Sequence, residues 1–88
     1  MRLDKFLKVS RIIKRRTVAK DVCDAGRIHV NGRSAKAGAD LKVGDILSFN
    51  YGRRQMEVEI LQLADTVRAE EAPNLYKVLK DIKINDDL

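Results

Sequence analysis

The sequence has little of what an enzyme or a membrane protein needs. It contains one cysteine, one histidine, one proline, no tryptophan, two Phe and two Tyr. With Cys23 the only cysteine, an internal disulfide is excluded, and with no signal-peptide pattern a cytosolic location is expected. One Cys and one His cannot supply the ligands of a zinc site. Neither a Ser/His/Asp order nor a phosphate-loop glycine pattern is present, so no catalytic activity, metal or cofactor is expected. Arg2, Asp4, Lys5 and Lys8 interrupt any apolar start, and no run approaches the ~18–20 apolar residues of a membrane span. There is no internal repeat and no low-complexity tract. At 88 residues there is room for one compact binding module but not for a deep enclosed active site, because so short a chain buries only about 60–65% of its unfolded surface.

Charge is what the sequence has in quantity, and it is unevenly spread. Residues 1–36 carry 11 Lys/Arg against 3 Asp/Glu, and residues 37–88 carry 7 against 10. Solubility does not require such asymmetry, whereas steering an anionic partner does. The basic set of the first part is Arg2, Lys5, Lys8, Arg11, Lys14, Arg15, Arg16, Lys20, Arg27, Arg33 and Lys36. A run of cations is usually a solvated face laced by salt bridges. Here few acids lie at the i,i+4 positions that lacing needs. Four of the six residues from Arg11 to Arg16 are basic, and they lead directly into a predicted helix N-terminus, which attracts phosphate. Arginine suits that place because its planar fork grips phosphate in two positions. With so few aromatic platforms, stacking along a single strand is not supported. Recognition of structured RNA through phosphate and shape fits better.

Leu3, Phe6 and Leu7 fall on one helical stripe and predict a helix over 3–9 with a basic flank. Asp4 lies in its first turn, where a carboxylate suits the helix dipole. Residues 10–16 form a basic connector anchored by Ile12 and Ile13. Thr17 is the predicted N-cap of a second helix over 18–25, with Val18, Ala19, Val22 and Cys23 apolar and Gly26 ending it in the left-handed conformation. Cys23 on that stripe reads as a small buried hydrophobe. Ile28 and Val30 alternate with Arg27 and His29 as a strand, with His29 on the exposed face. Asn31-Gly32 is a type I′ hairpin signal, with a return strand expected over 33–36. Val43-Gly44-Asp45 reads as a turn, 46–51 as a strand, and 52–55 as a second hairpin connection. Met56, Val58 and Ile60 alternate with Glu57 and Glu59. Leu75, Val78, Leu79 and Ile82 have helical spacing after Pro73, so a short C-terminal helix is expected over 74–83, with 85–87 frayed. Phe6 is expected in the core, and Tyr51 and Tyr76 at the surface. The fold class is α+β: two short helices on a small, mostly antiparallel sheet, plus that C-terminal helix. Residues 1–64 form the expected domain and 65–88 an extension.

Arg2-Leu3-Asp4-Lys5-Phe6-Leu7, then Arg15-Arg16-Thr17-Val18-Ala19-Lys20, then Ala25-Gly26-Arg27-Ile28-His29-Val30-Asn31-Gly32 and Val43-Gly44-Asp45, form a series. It resembles the RNA-binding domain named after ribosomal protein S-four, over about residues 2–50. The resemblance implies the αL RNA-binding fold, with the helix pair and its connector facing structured RNA. The length, the run from Leu7 to Lys20 and the stretch Glu70-Glu71-Ala72-Pro73-Asn74-Leu75-Tyr76 look most like the RqcP-type family of bacterial ribosome-quality-control factors. That resemblance implies binding to large ribosomal subunits obstructed by peptidyl-tRNA, contacts to 23S rRNA and tRNA, and assistance to RqcH in adding C-terminal alanine tails. A monomer with no membrane partner is expected. By position Arg2, Arg15 and Arg16 fall on the family's RNA-facing motif, with Arg16 foremost. Lys5, Lys8, Lys20 and Lys36 are weaker carry-overs, and Arg11 and Lys14 of the connector complete the RNA-binding set. Ala37-Gly38 departs from the Pro-Ser of many members, which frees the loop after Lys36.

Two other readings share the composition. One is a heat-shock-type recycling factor for blocked large subunits, which typically has a strongly basic tail. Residues 65–88 instead carry 4 Lys/Arg and 6 Asp/Glu. The other is a basic module that docks an acidic protein, or a helix-turn-helix DNA binder. Residues 17–26 are short for a recognition helix, and the strands that follow are atypical of that motif.

Overall fold

Leu3, Phe6 and Leu7 are fully buried along one side of the first helix, α1 (Leu3–Val9). Burying each stabilises the fold by roughly 1.5–3 kcal/mol, so packing holds a helix too short to persist alone. The computed structural model describes residues 1–51 and 53–83. After α1 come α2 (Arg16–Asp24), β1 (Ile28–Val30), β2 (Arg33–Ser34), β3 (Ile46–Tyr51), β4 (Arg54–Ile60), a 3-10 helix (Ala69–Leu75) and β5 (Tyr76–Lys83). The strands form one antiparallel sheet in the order β2-β1-β3-β4-β5. The α+β class expected from the residue pattern holds.

The core lies between the helices and one face of this sheet. Leu3, Phe6, Leu7, Ile13, Ala19 and Cys23 meet Ile28, Leu47, Phe49, Val58 and Ile60 there. Strand alternation puts His29, Ser48, Glu57 and Lys80 in register on the other face. His29 is half-buried among them rather than exposed. Cys23 is the small buried residue its stripe predicts, and burial pushes its thiol up to about 11.

Helix α2 begins earlier than its sequence suggests. Its N-cap is Arg15, with no side-chain cap, and Thr17 lies inside the first turn. The chain enters α2 extended at Arg15, with φ −117° and ψ 130°, so the break falls two residues before the best capping side chain. The other end follows expectation. Gly26 is left-handed at φ 76°, its N–H reaches the Cys23 carbonyl, and the Arg27 N–H reaches that of Val22. These two bonds form a Schellman motif. At the end of α1 the same left-handed position is taken by Arg11, at φ 65°, and the turn sends Ile13 back into the core.

Asn31 and Gly32 both have positive φ, 52° and 84°, as a type I′ turn requires. The return strand β2 is limited to Arg33–Ser34. The Asn31 side chain also joins the hairpin to β3: its Oδ1 accepts from the Ile46 N–H at 2.9 Å, and its Nδ2 donates to Asp45 at 3.0 Å.

The expected C-terminal helix over 74–83 is absent. The 3-10 helix closes at Leu75, and Tyr76–Lys83 pairs with β4. The apolar spacing misleads because β5 carries an irregularity. Val58 pairs with Val78 and Glu57 with Lys80, so Leu79 has no opposite residue. One extra residue flips the alternation and turns a period of two into spacings of three and four. Tyr76 is half-buried against the core instead of at the surface. Residues 85–87 and the side chain of Tyr51 lie outside what the structure describes.

Replacing Asn31 by Ala should destabilise the protein by about 1–2 kcal/mol, through the lost turn preference and two side-chain hydrogen bonds. Urea denaturation measures this, and an unchanged midpoint would show that the hairpin does not depend on it.

Candidate nucleic-acid interface

The interface is organised around an acid. Asp4 is 3% exposed, at the start of a helix whose neighbours are cations. Its Oδ1 accepts from the Arg2 Nε at 3.1 Å and from the Lys5 N–H at 2.8 Å. Its Oδ2 accepts from the Arg16 Nε at 3.3 Å and from the Arg2 Nη2 at 3.4 Å. Arg2 and Arg16 lie fourteen positions apart in the chain, and one carboxylate brings them together. Both arginine side chains stay about half exposed, at 55% and 46%. Each spends part of its donor fork on Asp4 and keeps the rest for solvent or ligand.

Burial pushes the Asp4 carboxyl up. The hydrogen bonds from Arg2 and Arg16, the Arg16 charge and the Lys5 N–H outweigh that and hold it below the usual carboxylate range. The net direction fits a buried ion cluster whose acid stays ionised.

The loop after Lys36 is held against this cluster. The Leu3 N–H donates to the Ala39 carbonyl at 2.9 Å, the Asp4 N–H to that of Ala37 at 3.1 Å, and the Leu41 N–H to that of Met1 at 2.9 Å. A Cβ added to Gly38 would meet the Arg2 guanidinium at an ordinary 3.8 Å. Ala37-Gly38 therefore does not leave the loop loose; these three backbone hydrogen bonds to residues 1–4 hold it.

The other candidate cations divide by partner. Lys5 pairs with Asp65 at 2.9 Å, and Arg11 reaches the Val67 carbonyl at 3.4 Å, so both tether the segment after β4. Lys36 donates to the Asp24 carbonyl at the end of α2. Lys8, Lys14, Arg15 and Lys20 are exposed, and among the described residues they make no hydrogen bond or ion pair through their side chains. Arg27 and Arg33 are exposed at the far end of α2 and on β2. The arrangement offers fixed guanidinium groups at Arg2 and Arg16 beside unpaired charges on the connector and α2. Such a surface suits a polyanion with regularly placed phosphates. Among the described residues no group of three or more His, Cys, Asp or Glu is placed to hold a metal ion, and no helix is long and apolar enough to cross a membrane.

The role of Asp4 is what sequence reasoning missed. An acid in a first turn looks like a dipole partner. A signal was present: Asp4 is the sole acid among the first twenty residues, beside eight Lys/Arg.

A buried carboxylate shared by two guanidinium groups is sensitive to substitution and to acid. Asp4→Asn should cost about 1–3 kcal/mol at pH 7, because an amide cannot satisfy both guanidinium groups. A carboxyl whose folded pKa is depressed stabilises fully above its unfolded pKa and loses that contribution as pH falls through the folded pKa. The gap between wild type and variant should therefore shrink below about pH 4. Denaturation curves at several pH values test this, and a pH-independent gap would contradict it.

Residues 1–47 match the family model of the S4 domain. Along nearly its whole length the chain is similar to proteins named RQC P-site tRNA stabilizing factor. It is 54% identical over 86 residues to that of Bacillus subtilis, across 98% of this chain and 100% of the relative. It is 58% identical over 85 residues to that of Halalkalibacterium halodurans, across 97% of each. In three dimensions it is similar to the trimeric Heat Shock Protein 15 of Vibrio cholerae, with a TM-score of 0.83 and 32% identity over 89% of this chain and 80% of that one. With the helix pair, the hairpin and the clustered cations all in place, the chain belongs to the S4-domain family and, within it, to the RQC P-site tRNA stabilizing factors.

Proposed function

We propose that the chain binds RNA through Arg2, Lys5, Lys8, Arg11, Lys14, Arg15, Arg16, Lys20 and Lys36, and stabilises P-site tRNA on obstructed large ribosomal subunits. In this reading it acts in the cytoplasm as a monomeric, non-enzymatic factor. It contacts 23S rRNA and peptidyl-tRNA, and assists RqcH while alanine tails are added to stalled chains. The observation that carries the reading is the Asp4 cluster, which holds two arginines in one place with half of each left open. The name those relatives share supplies the biological setting.

Heat Shock Protein 15 of Vibrio cholerae supports a second reading, recycling of blocked subunits, through its similar fold. The balance of 4 Lys/Arg to 6 Asp/Glu in residues 65–88 disfavours it, since a basic tail is what that role adds. RNA crosslinked to the protein in cells and then sequenced separates the readings. Large-subunit rRNA with tRNA supports the first, large-subunit rRNA alone supports the second, and a protein partner without RNA supports a docking module.

Arg16→Ala should weaken co-sedimentation with large subunits by about 1–3 kcal/mol, the scale of a lost charged contact. Binding should also fall steeply with salt, because each neutralised phosphate releases counterions. Glu57→Gln, on the far face of the sheet, should leave binding nearly intact. Unchanged association of the Arg16 variant would remove that residue from the interface.

A further inference from the structure

Beside the unpaired cations of the connector lies a hollow of about 420 Å3, lined by Ile12, Ile13, Lys14, Arg15 and Val18. Its floor is aliphatic. Ile13 is 4% exposed, while Ile12 and Val18 are half-buried and keep open surface toward the hollow. Its volume lies within the roughly 300–1,000 Å3 usual for small-ligand sites. Lys14 and Arg15 stand on the rim, exposed and, among the described residues, without a side-chain partner.

The two features ask different things of a ligand. The floor gains by being covered with an apolar body, and the rim gains by meeting negative charge. A duplex satisfies only the rim, since its stacked bases do not protrude. An unpaired nucleotide of a folded RNA satisfies both: its base is a flat body that can leave the stack, and its phosphates lie one bond system away.

We propose that this hollow receives a single unpaired RNA base, its face against Ile12 and Val18 and its flanking phosphates on Lys14 and Arg15. The proposal rests on the RNA-binding reading above and adds to it what kind of nucleotide the connector takes. Here the aliphatic side chains of Ile12 and Val18 take the place of the aromatic platform that the sequence lacks. The interface is thereby divided: Arg2 and Arg16 hold backbone at the Asp4 cluster, and the connector selects a position where a base is free.

The test uses the whole protein and two RNA hairpins, identical except that one carries a single bulged adenosine and the other an abasic nucleotide at that place. Affinities are measured at low salt, where phosphate contacts alone should retain either RNA. Wild type should prefer the bulged adenosine by about tenfold, the scale of one stacked base. Ile12→Ala and Val18→Ala should bring the two hairpins together while the salt dependence stays. Equal wild-type affinity for the two hairpins overturns the base site and leaves the RNA-binding reading standing. Failure to bind either hairpin at low salt contradicts the RNA-binding reading and the base site with it. Because the wild-type comparison decides by itself, poor folding of a variant does not blunt the test.

Discussion

The carboxylate of Asp4 is the contact on which the basic surface depends. Two arginines placed side by side repel each other and keep long side chains mobile. A buried acid between them changes both terms. It offsets the repulsion, and it spends one part of each guanidinium on a fixed partner. Burying a charge is costly unless it is paired and hydrogen-bonded. Asp4 meets that condition with the Arg2 and Arg16 side chains and the Lys5 N–H. Its backbone N–H is also used, on the Ala37 carbonyl. One residue thus ties α1, the start of α2 and the loop after β2 into one unit.

Around that unit the cations fall into two kinds. Lys5, Arg11 and Lys36 fasten pieces of the fold to one another. Lys8, Lys14, Arg15 and Lys20 are left exposed. Several acids of the second half face cations on the sheet. Glu57 and Glu59 stand opposite Lys80 and Lys77 across β4 and β5, and Arg54 grips Asp81 with two bonds, at 2.9 and 2.6 Å. Cross-strand pairing neutralises the sheet locally and leaves the excess positive charge to the helices and connector.

Much of this was legible in the sequence, for identifiable reasons. The stripe of Leu3, Phe6 and Leu7, the Asn31-Gly32 turn and the left-handed Gly26 are local signals, and each sits where its residues predict. Three features depended on tertiary partners. Asp4 became a clamp because Arg16 arrives from another helix. Thr17 lost the capping position because the extended residue is Arg15 and the helix already begins at Arg16. Residues 76–83 became a strand because β4 offers an edge to pair with, and the extra residue at Leu79 disguised the strand's alternation. Helical spacing in a short segment is weak when a neighbouring strand has unpaired backbone groups to satisfy.

The most direct test of the central claim is a double-mutant cycle between Asp4→Asn and Arg16→Ala, read as affinity for large ribosomal subunits. If Asp4 acts by holding Arg16 in place, the two losses overlap, and the double variant loses less than the sum of the two single losses, with a coupling of about 1 kcal/mol or more. If the two losses simply add, Asp4 does not position Arg16 for binding, and the clamp is a feature of folding only.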